Sequence, residues 1–245
     1  MTKKILITGA NGQLGHEMRN ALKGNNRFEC IFTDVAELDI CNAEAVKQTI
    51  ADNHIDYIVN CAAYTQVDKA EDNAELCKKI NTDAVENLAR AAADYGARMI
   101  HISTDYVFNG RGYSPYTEDM TPDPQSVYGS TKLEGEKILT DICPESIIIR
   151  TAWLYSPYGN NFVKTMLHLG EEREELSVVA DQIGTPTCAA DLAQAILVIL
   201  QADTFVPGTY HFSDEGVCSW YDFTVTIHRL SLIHISEPTR PRLIS

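Results

Sequence analysis

The chain contains no Cys-x-x-Cys pair and no Cys/His spacing of the kind that holds zinc. Its seven cysteines, Cys30, Cys41, Cys61, Cys77, Cys143, Cys188 and Cys218, are odd in number and scattered, which reads as free thiols in a reducing compartment. The histidines are scattered too, and His54 and His168 read as solvated or capping residues on helices, so no metal site is expected. Long apolar stretches are missing: the longest, Ala195 to Leu200, is far below the roughly 20 residues a bilayer requires. Nothing at the start reads as a signal peptide. Positive charge is scarce, with 20 Lys and Arg against 34 Asp and Glu and a net charge of −14. There is thus no electrostatic footprint for nucleic acid, and an anionic substrate would need a local basic or dipolar pocket. These absences point to a cytoplasmic protein with neither nucleic acid nor membrane as partner.

What is present suits a globular chain. A length of 245 residues, 44% hydrophobic and 22% charged, is enough for one large α/β unit or two lobes. Lys4-Ile5-Leu6-Ile7-Thr8 is a short, β-branched apolar run that breaks into Gly9-Ala10-Asn11-Gly12-Gln13-Leu14-Gly15. Leu14, Met18, Ala21 and Leu22 then fall at helical spacing. Strand, glycine turn and helix in that order suit a phosphate cradle, with Gly9 for the tight turn, Gly12 for close approach of a pyrophosphate at a helix N-terminus and Gly15 for helix-to-strand packing; the spacing is Gly-x-x-Gly-x-x-Gly and not Gly-x-Gly-x-x-Gly, and the alternative is a flexible turn. A second strand, Phe28 to Thr33, ends on Asp34, about 20 residues past the last glycine, where a carboxylate can take the ribose hydroxyls of a dinucleotide.

Further strands are expected at Ile55–Val59, running into the small residues Cys61, Ala62 and Ala63, and at Arg98–Ser103. Helices are expected over 43–51, 67–79 and 84–95, the last capped by Gly96. Strands alternating with helices argue a doubly wound parallel sheet. A loop rich in Gly, Pro and Asp, 109–125, then leads to Tyr128-Gly129-Ser130-Thr131-Lys132 at the start of a helix. Residues four apart on a helix share a face. A free phenol titrates near 10, roughly three units too high for exchange at neutral pH, and a cation beside it favours the phenolate. Tyr128 and Lys132 therefore form a candidate acid–base pair, the alternative being an incidental Tyr and Lys on a surface helix.

The glycine turn, Ser103-Thr104 after the fourth strand, and Tyr128-x-x-x-Lys132 together resemble the extended short-chain dehydrogenase/reductase family. More closely, Ser103-Thr104-Asp105-Tyr106-Val107-Phe108, Arg150-Thr151-Ala152-Trp153-Leu154-Tyr155, Gly159-Asn160-Asn161-Phe162 and Asp181-Gln182-Ile183-Gly184-x-Pro186-Thr187 are similar to the dTDP-4-dehydrorhamnose reductases, over roughly residues 3 to 228. The resemblance implies an α/β, Rossmann-type doubly wound parallel sheet with a smaller C-terminal substrate-binding lobe. It also implies reduction of a dTDP-sugar by NADPH or NADH. Tyr128 would protonate the C4 oxygen of the sugar, Lys132 would lower the phenol's pKa and hold the nicotinamide ribose, and Thr104 would polarise the same oxygen. Asp105 and Trp153 would contact the substrate. Ala10, Asn11 and Gly12, with Gly9, Gln13, Leu14 and Gly15, would line the pyrophosphate; Asp34 the ribose; Asp39 and Ile40 the adenine; Ala62, Ala63, Tyr64 and Thr65 the middle of the cofactor. Asp34 favours NADH, although the family uses either cofactor.

Some family members hold Mg2+ between subunits through glutamates, and Glu17 is similar to one of them. No metal site is carried over, because another of those glutamates would fall where this chain departs from the family. A homodimer is a possible assembly. Two other functions stay open: a sugar-nucleotide epimerase or dehydratase of the same superfamily, and a non-catalytic cofactor-binding subunit resembling the regulatory subunit of methionine adenosyltransferase. The expected division is a dinucleotide-binding domain over 1–150, its sheet continued by 176–190, and a largely substrate-binding lobe over 151–228. Residues 229–245 resemble a foreign tail. With a family-like C-terminal segment missing, the apolar helix face around Ala195 to Leu200 is expected to stay uncovered.

Overall fold

The computed structural model describes residues 2–231 and 243–244. Its centre is a six-stranded sheet built from β1 (Lys3–Thr8), β2 (Phe28–Phe32), β3 (Tyr57–Asn60), β4 (Arg98–Thr104), β5 (Ile147–Thr151) and a late strand, Gly208–His211. The order across the sheet places the late strand beside β5, followed by β4, β3, β1 and β2. All five pairings are parallel. Both faces of such a sheet are covered, so its strands read as near-continuous apolar runs. In β1 the alternation divides the work: Ile5 and Ile7 enter one core, Leu6 the other.

Helices α1 (Gln13–Ala21) and α2 (Ala43–Asn53) lie on opposite sides of the sheet. On the Leu6 side, Val46 and Ile50 of α2 pack with Leu88, Ala89 and Ala92 of a later helix and with Met99 and Ile148 of the sheet. Asn42 caps α2, its side chain accepting from the Ala45 N–H, and His54 closes it in the left-handed region at φ 53°. The expected helix 67–79 is broken into α3 (Val67–Ala70) and α4 (Ala74–Lys78). From α4 the chain runs without interruption through a π-helical turn, Lys79–Asp83, into α5 (Ala84–Tyr95), which ends on the expected Gly96 at φ 70°. After β4 come a short 3-10 turn, Asp105–Val107, and α6 (Val127–Ile142), capped by Ser126.

Beyond β5 the elements are short. Strands β6 (Leu154–Tyr155), β7 (Leu176–Ser177), β8 (Ile183–Gly184) and β9 (Thr187–Cys188) have two residues each and belong to small separate ladders. Helix α7 (Phe162–Glu172) separates β6 from β7, and α8 (Ala189–Gln201) leads to the late sheet strand, β10. Then follow β11 (Cys218–Ser219), α9 (Trp220–Ser231) and β12 (Leu243–Ile244), which pairs with β7.

Two expectations need correction here. The sheet is continued by β10 and not by 176–190, because a parallel neighbour for β5 needs a crossover of a dozen or more residues and α8 supplies it. The face of α8 is also not left uncovered: Leu192, Ala193, Ile196, Leu197 and Leu200 are buried on the Ile5 side of the sheet with Leu14 and Met18 of α1. Fully buried aliphatic side chains contribute about 1.5–3 kcal/mol each. Residues 189–211 are therefore part of the sheet's own core, and the expected boundary at 150 does not follow the packing. The suspected tail, 229–245, lies mostly outside the described residues. All seven cysteines are free, and no described helix is long and apolar enough to cross a membrane.

Candidate active site

The site begins where β1 runs out. Gly9 takes φ +63°, and a Cβ there would stand 2.6 Å from the Ala62 nitrogen and 2.7 Å from its Cα, so the ends of β1 and β3 converge only because the side chain is missing. Gly12 is the N-cap of α1 and has no side-chain cap, leaving helix N–H groups directed at the exposed turn. A Cβ on Gly15 would strike the Gly9 carbonyl and Ala10, so this glycine packs the helix against its own turn and not against a strand as the sequence suggested.

Around the turn, the predicted cofactor residues divide by what they can offer. The Ala10 N–H donates to Thr33 O, and the Asn11 N–H donates to Asp34 Oδ2 at 2.9 Å. Asp34 thus stands at the lip of the turn, with its other oxygen accepting from the Val35 N–H. Leu14 and Ile40 are core side chains and can present only backbone. Gln13 turns away from the cradle to bind Leu154 O and to accept from Ser156 Oγ and Asn161 Nδ2. Asp39 and Thr65 are exposed, and Ala62, Ala63 and Tyr64 are half-buried. Asn81, in the π-helical turn and given no role by the sequence, clamps Tyr64 on both sides: its Oδ1 accepts from the Tyr64 N–H at 2.9 Å and its Nδ2 donates to Tyr64 O at 3.1 Å.

Helix α6 comes close to the carboxyl end of β4 because a Cβ on Gly129 would collide with the Tyr106 carbonyl oxygen. This contact seats Tyr128 in the interior, 8% exposed and edge-on to Tyr106 at 5.5 Å, with Thr104 beside its phenol. Burial pushes the phenol's pKa up, the Thr104 hydroxyl opposes this, and the Asp105 charge adds to the rise. Lys132 is 1% exposed. Its Nζ donates to Ile102 O at 2.7 Å and lies 3.2 Å from His101 Nε2. Burial lowers the ammonium pKa to about 8, with Glu136 pulling the other way. The group expected from the sequence to act on the phenol, Lys132, thus has its Nζ held from β4, by Ile102 O and beside His101.

Beside this pair lies a cavity of about 580 Å3, bounded by Asp105, Phe108, Tyr116, Arg150, Gly184 and His211 among others. It opens at the carboxyl ends of β4, β5 and β10, where open parallel sheets take their ligands. Burial raises the Asp105 carboxyl to about 6, against hydrogen bonds from Thr104 Oγ1 and backbone N–H groups. Arg150 is forked onto Glu136 of α6, both side chains buried, with Nη2 to Oε2 at 2.7 Å. Its guanidinium also lies 5.2 Å over the Phe108 ring, which stacks on Tyr116. Trp153 is not among the lining residues. It sits behind Gly184 at φ 47° and stacks on Trp220 at 3.5 Å. Among the described residues no three His, Cys, Asp or Glu side chains gather as metal ligands; Glu17 is buried and accepts from Asn20. Arg150 and His211 had no assigned role in the sequence, and the only signal was a cation ending an otherwise apolar strand.

The model of the RmlD substrate binding domain family matches residues 3–241. The chain is 44% identical over 228 residues to the dTDP-4-dehydrorhamnose reductase of Aggregatibacter actinomycetemcomitans, a match covering 91% of this chain and 78% of that one. This chain belongs to that family. With the reductase of Escherichia coli (strain K12) it shares 46% over 231 residues, covering 91% and 76% of the two chains. The crystal structure of a family member from Clostridium acetobutylicum superposes with a TM-score of 0.91 at 51% identity, covering 95% of this chain and 82% of that one. A member from Bacillus anthracis, solved in complex with NADP, gives 0.91 at 43% identity over the same shares.

Proposed function

We propose that the chain reduces the C4 keto group of dTDP-4-dehydro-L-rhamnose to give dTDP-L-rhamnose, using NADPH or NADH. The observation that carries the reading is the buried Tyr128 phenol set beside Thr104 at the carboxyl end of β4, next to the cavity that Asp105 lines and in the same sheet as the glycine turn. The residues present fit a dinucleotide: a Cβ at Gly12 would meet only the Gly9 carbonyl, at 3.2 Å, so the start of α1 is accessible to a pyrophosphate. Asp34, held at the lip by the Asn11 N–H, is placed for ribose hydroxyls. When bound, the nicotinamide supplies the reducing equivalent to the C4 carbon.

Tyr128 Oη gives its proton to the C4 oxygen, and Thr104 Oγ1 turns its one hydrogen from Asp105 Oδ1 to the same oxygen. A phenol at its ordinary pKa already holds its proton at neutral pH, and burial alone would make it a weaker acid; Thr104 works against that rise, as a cation beside the phenol would. Asp105, on the cavity wall, binds a sugar hydroxyl. Trp153, behind Gly184, supports that wall from the far side. The test is loss of nicotinamide absorbance with dTDP-4-dehydro-L-rhamnose, set against UDP- and GDP-keto-sugars. Turnover of the dTDP substrate alone is the expected result, and equal or faster turnover of another nucleotide sugar overturns the assignment.

A further inference from the structure

A row of buried polar side chains crosses the sheet beneath the site. Thr8 pairs with Asn60 across β1 and β3, and Asn60 pairs with His101 across β3 and β4. Thr8, Asn60, His101 and Lys132 are each 0–1% exposed. Asn60 Oδ1 accepts from Thr8 Oγ1 at 2.6 Å and from the Ala62 N–H at 3.2 Å. A backbone N–H can only donate, so the orientation of the Asn60 amide is settled: its Nδ2 faces His101 Nδ1, at 3.0 Å, as a donor. Nδ1 must then accept. A neutral imidazole with Nδ1 accepting carries its proton on Nε2, and that N–H points at Lys132 Nζ, 3.2 Å away. An ammonium has three donors and no lone pair, so it cannot receive the proton.

We propose that His101 is a positioning residue for Lys132: the Thr8–Asn60–His101 row makes the imidazole present an N–H, so Lys132 sits on it as a neutral amine and must leave it on taking up a proton. The other groups around Lys132 agree with a charge change at this position. From its own helix Glu136 favours the ammonium, but the Glu136 carboxylate is already forked onto Arg150 of β5. Cys77 of α4 faces Lys132 and Tyr128, and Asp105 and Tyr106 of the 3-10 turn face Tyr128. Burial holds the imidazole pKa well below its ordinary value, with the Lys132 charge adding to the effect, so His101 stays neutral. The released ammonium is one helical turn from Tyr128 on the same face, and is the form able to act on the phenol and on a bound ribose. This last step rests on the function proposed above; the hydrogen-bond argument does not.

The test uses the whole protein with isotope-labelled histidine and lysine, the Lys132 resonance being assigned from Lys132→Met. The expected result is a neutral His101 with its proton on Nε2 from about pH 6 to about pH 9, and a shift of that nitrogen that follows the Lys132 midpoint near 8. A proton on Nδ1, or an imidazolium forming in that range, overturns the proposal. In His101→Gln the amide oxygen can accept from an ammonium, so the Lys132 midpoint should rise by about one unit, a tenfold change. An unmoved midpoint in that variant, shown to be folded, also overturns it. Neither readout needs turnover, so a failed reductase assay and a failed His101 assignment give different results.

Discussion

From β1 to β5 the chain is held by patterns in which one aliphatic residue could stand for another: Ile5, Ile7, Val59, Ile100 and Ile149 fill one core, Leu6, Ile58, Met99 and Ile148 the other. Past Thr151, apart from α8 and β10, it is held by particular side chains. Trp153 stacks on Trp220, Phe162 packs on Trp220 and Phe223, Gln13 is gripped by Ser156 and Asn161, and His228 Nε2 reaches Met166 O at 2.8 Å. A pattern spreads its stabilisation over many contacts, whereas a set of singular contacts concentrates it. The first region should therefore tolerate conservative changes that the second does not.

The largest effect is expected at Arg150 and Glu136, at the end of the first region, where Arg150 also reaches His211 of β10. Arg150→Met leaves a buried carboxylate without its partner, which costs about 3–5 kcal/mol. In denaturant unfolding monitored by both tryptophan fluorescence and backbone signal, the two traces should move together. Separate transitions would show the two regions to be independent. Next in size is Tyr128→Phe, with kcat lowered about 100-fold or more and cofactor affinity kept; near-normal turnover removes Tyr128 as the acid. Trp220→Ala should destabilise by roughly 1–3 kcal/mol, less than a fully buried Trp, and raise the sugar KM while leaving the cofactor Kd unchanged. A weaker cofactor would mean that the aromatic cluster also supports the glycine turn.

Asp105 gives a pH test. Its folded pKa, about 6, is above the ordinary 3.8, so between those values the folded state binds the extra proton and stability falls as pH rises through the window. Asp105→Asn should flatten that fall and be the more stable form at pH 7; thermal unfolding from acid to neutral pH reads the difference, and parallel curves would refute it. The smallest effect is expected of Asp34→Ala, a several-fold shift in preference towards NADPH as a like charge is removed from the exposed lip, within the roughly 1 kcal/mol of such contacts in water. Unchanged relative affinities would place cofactor selection elsewhere, with Asp39 the next candidate.

What could be read from the sequence follows the same division. β1, β4, the glycine turn, the Gly96 cap and the Tyr128 helix carry periodicity or turn chemistry within a few residues, and they stand where the sequence placed them. β10 falls within the stretch assigned to the substrate-binding lobe, because Gly208-Thr209-Tyr210-His211 has no apolar run to mark it as interior. The α8 face was legible as apolar, but its partner, α1, lies far off in the chain. The Asn60–His101 and Glu136–Arg150 contacts join residues that no local pattern relates. Lys132 was found for its spacing from Tyr128, yet the groups holding its Nζ are on β4.

The π-helical turn at Lys79–Asp83 sets a phase. α4, that turn and α5 form one unbroken helical run, and a π turn takes up about one residue more than an α turn. One residue is about 100° of rotation on a helix. Before the turn, Cys77 points at Thr131 of α6; within it, Asn81 reaches Tyr64; after it, Leu88 and Ala92 point into the core. Deleting a single residue from this stretch would leave every helical hydrogen bond satisfiable and the sequence as helix-prone as before. It would nonetheless rotate the two ends against each other, so that the rod could keep its grip on the interior or on the loop that carries Tyr64, but not on both.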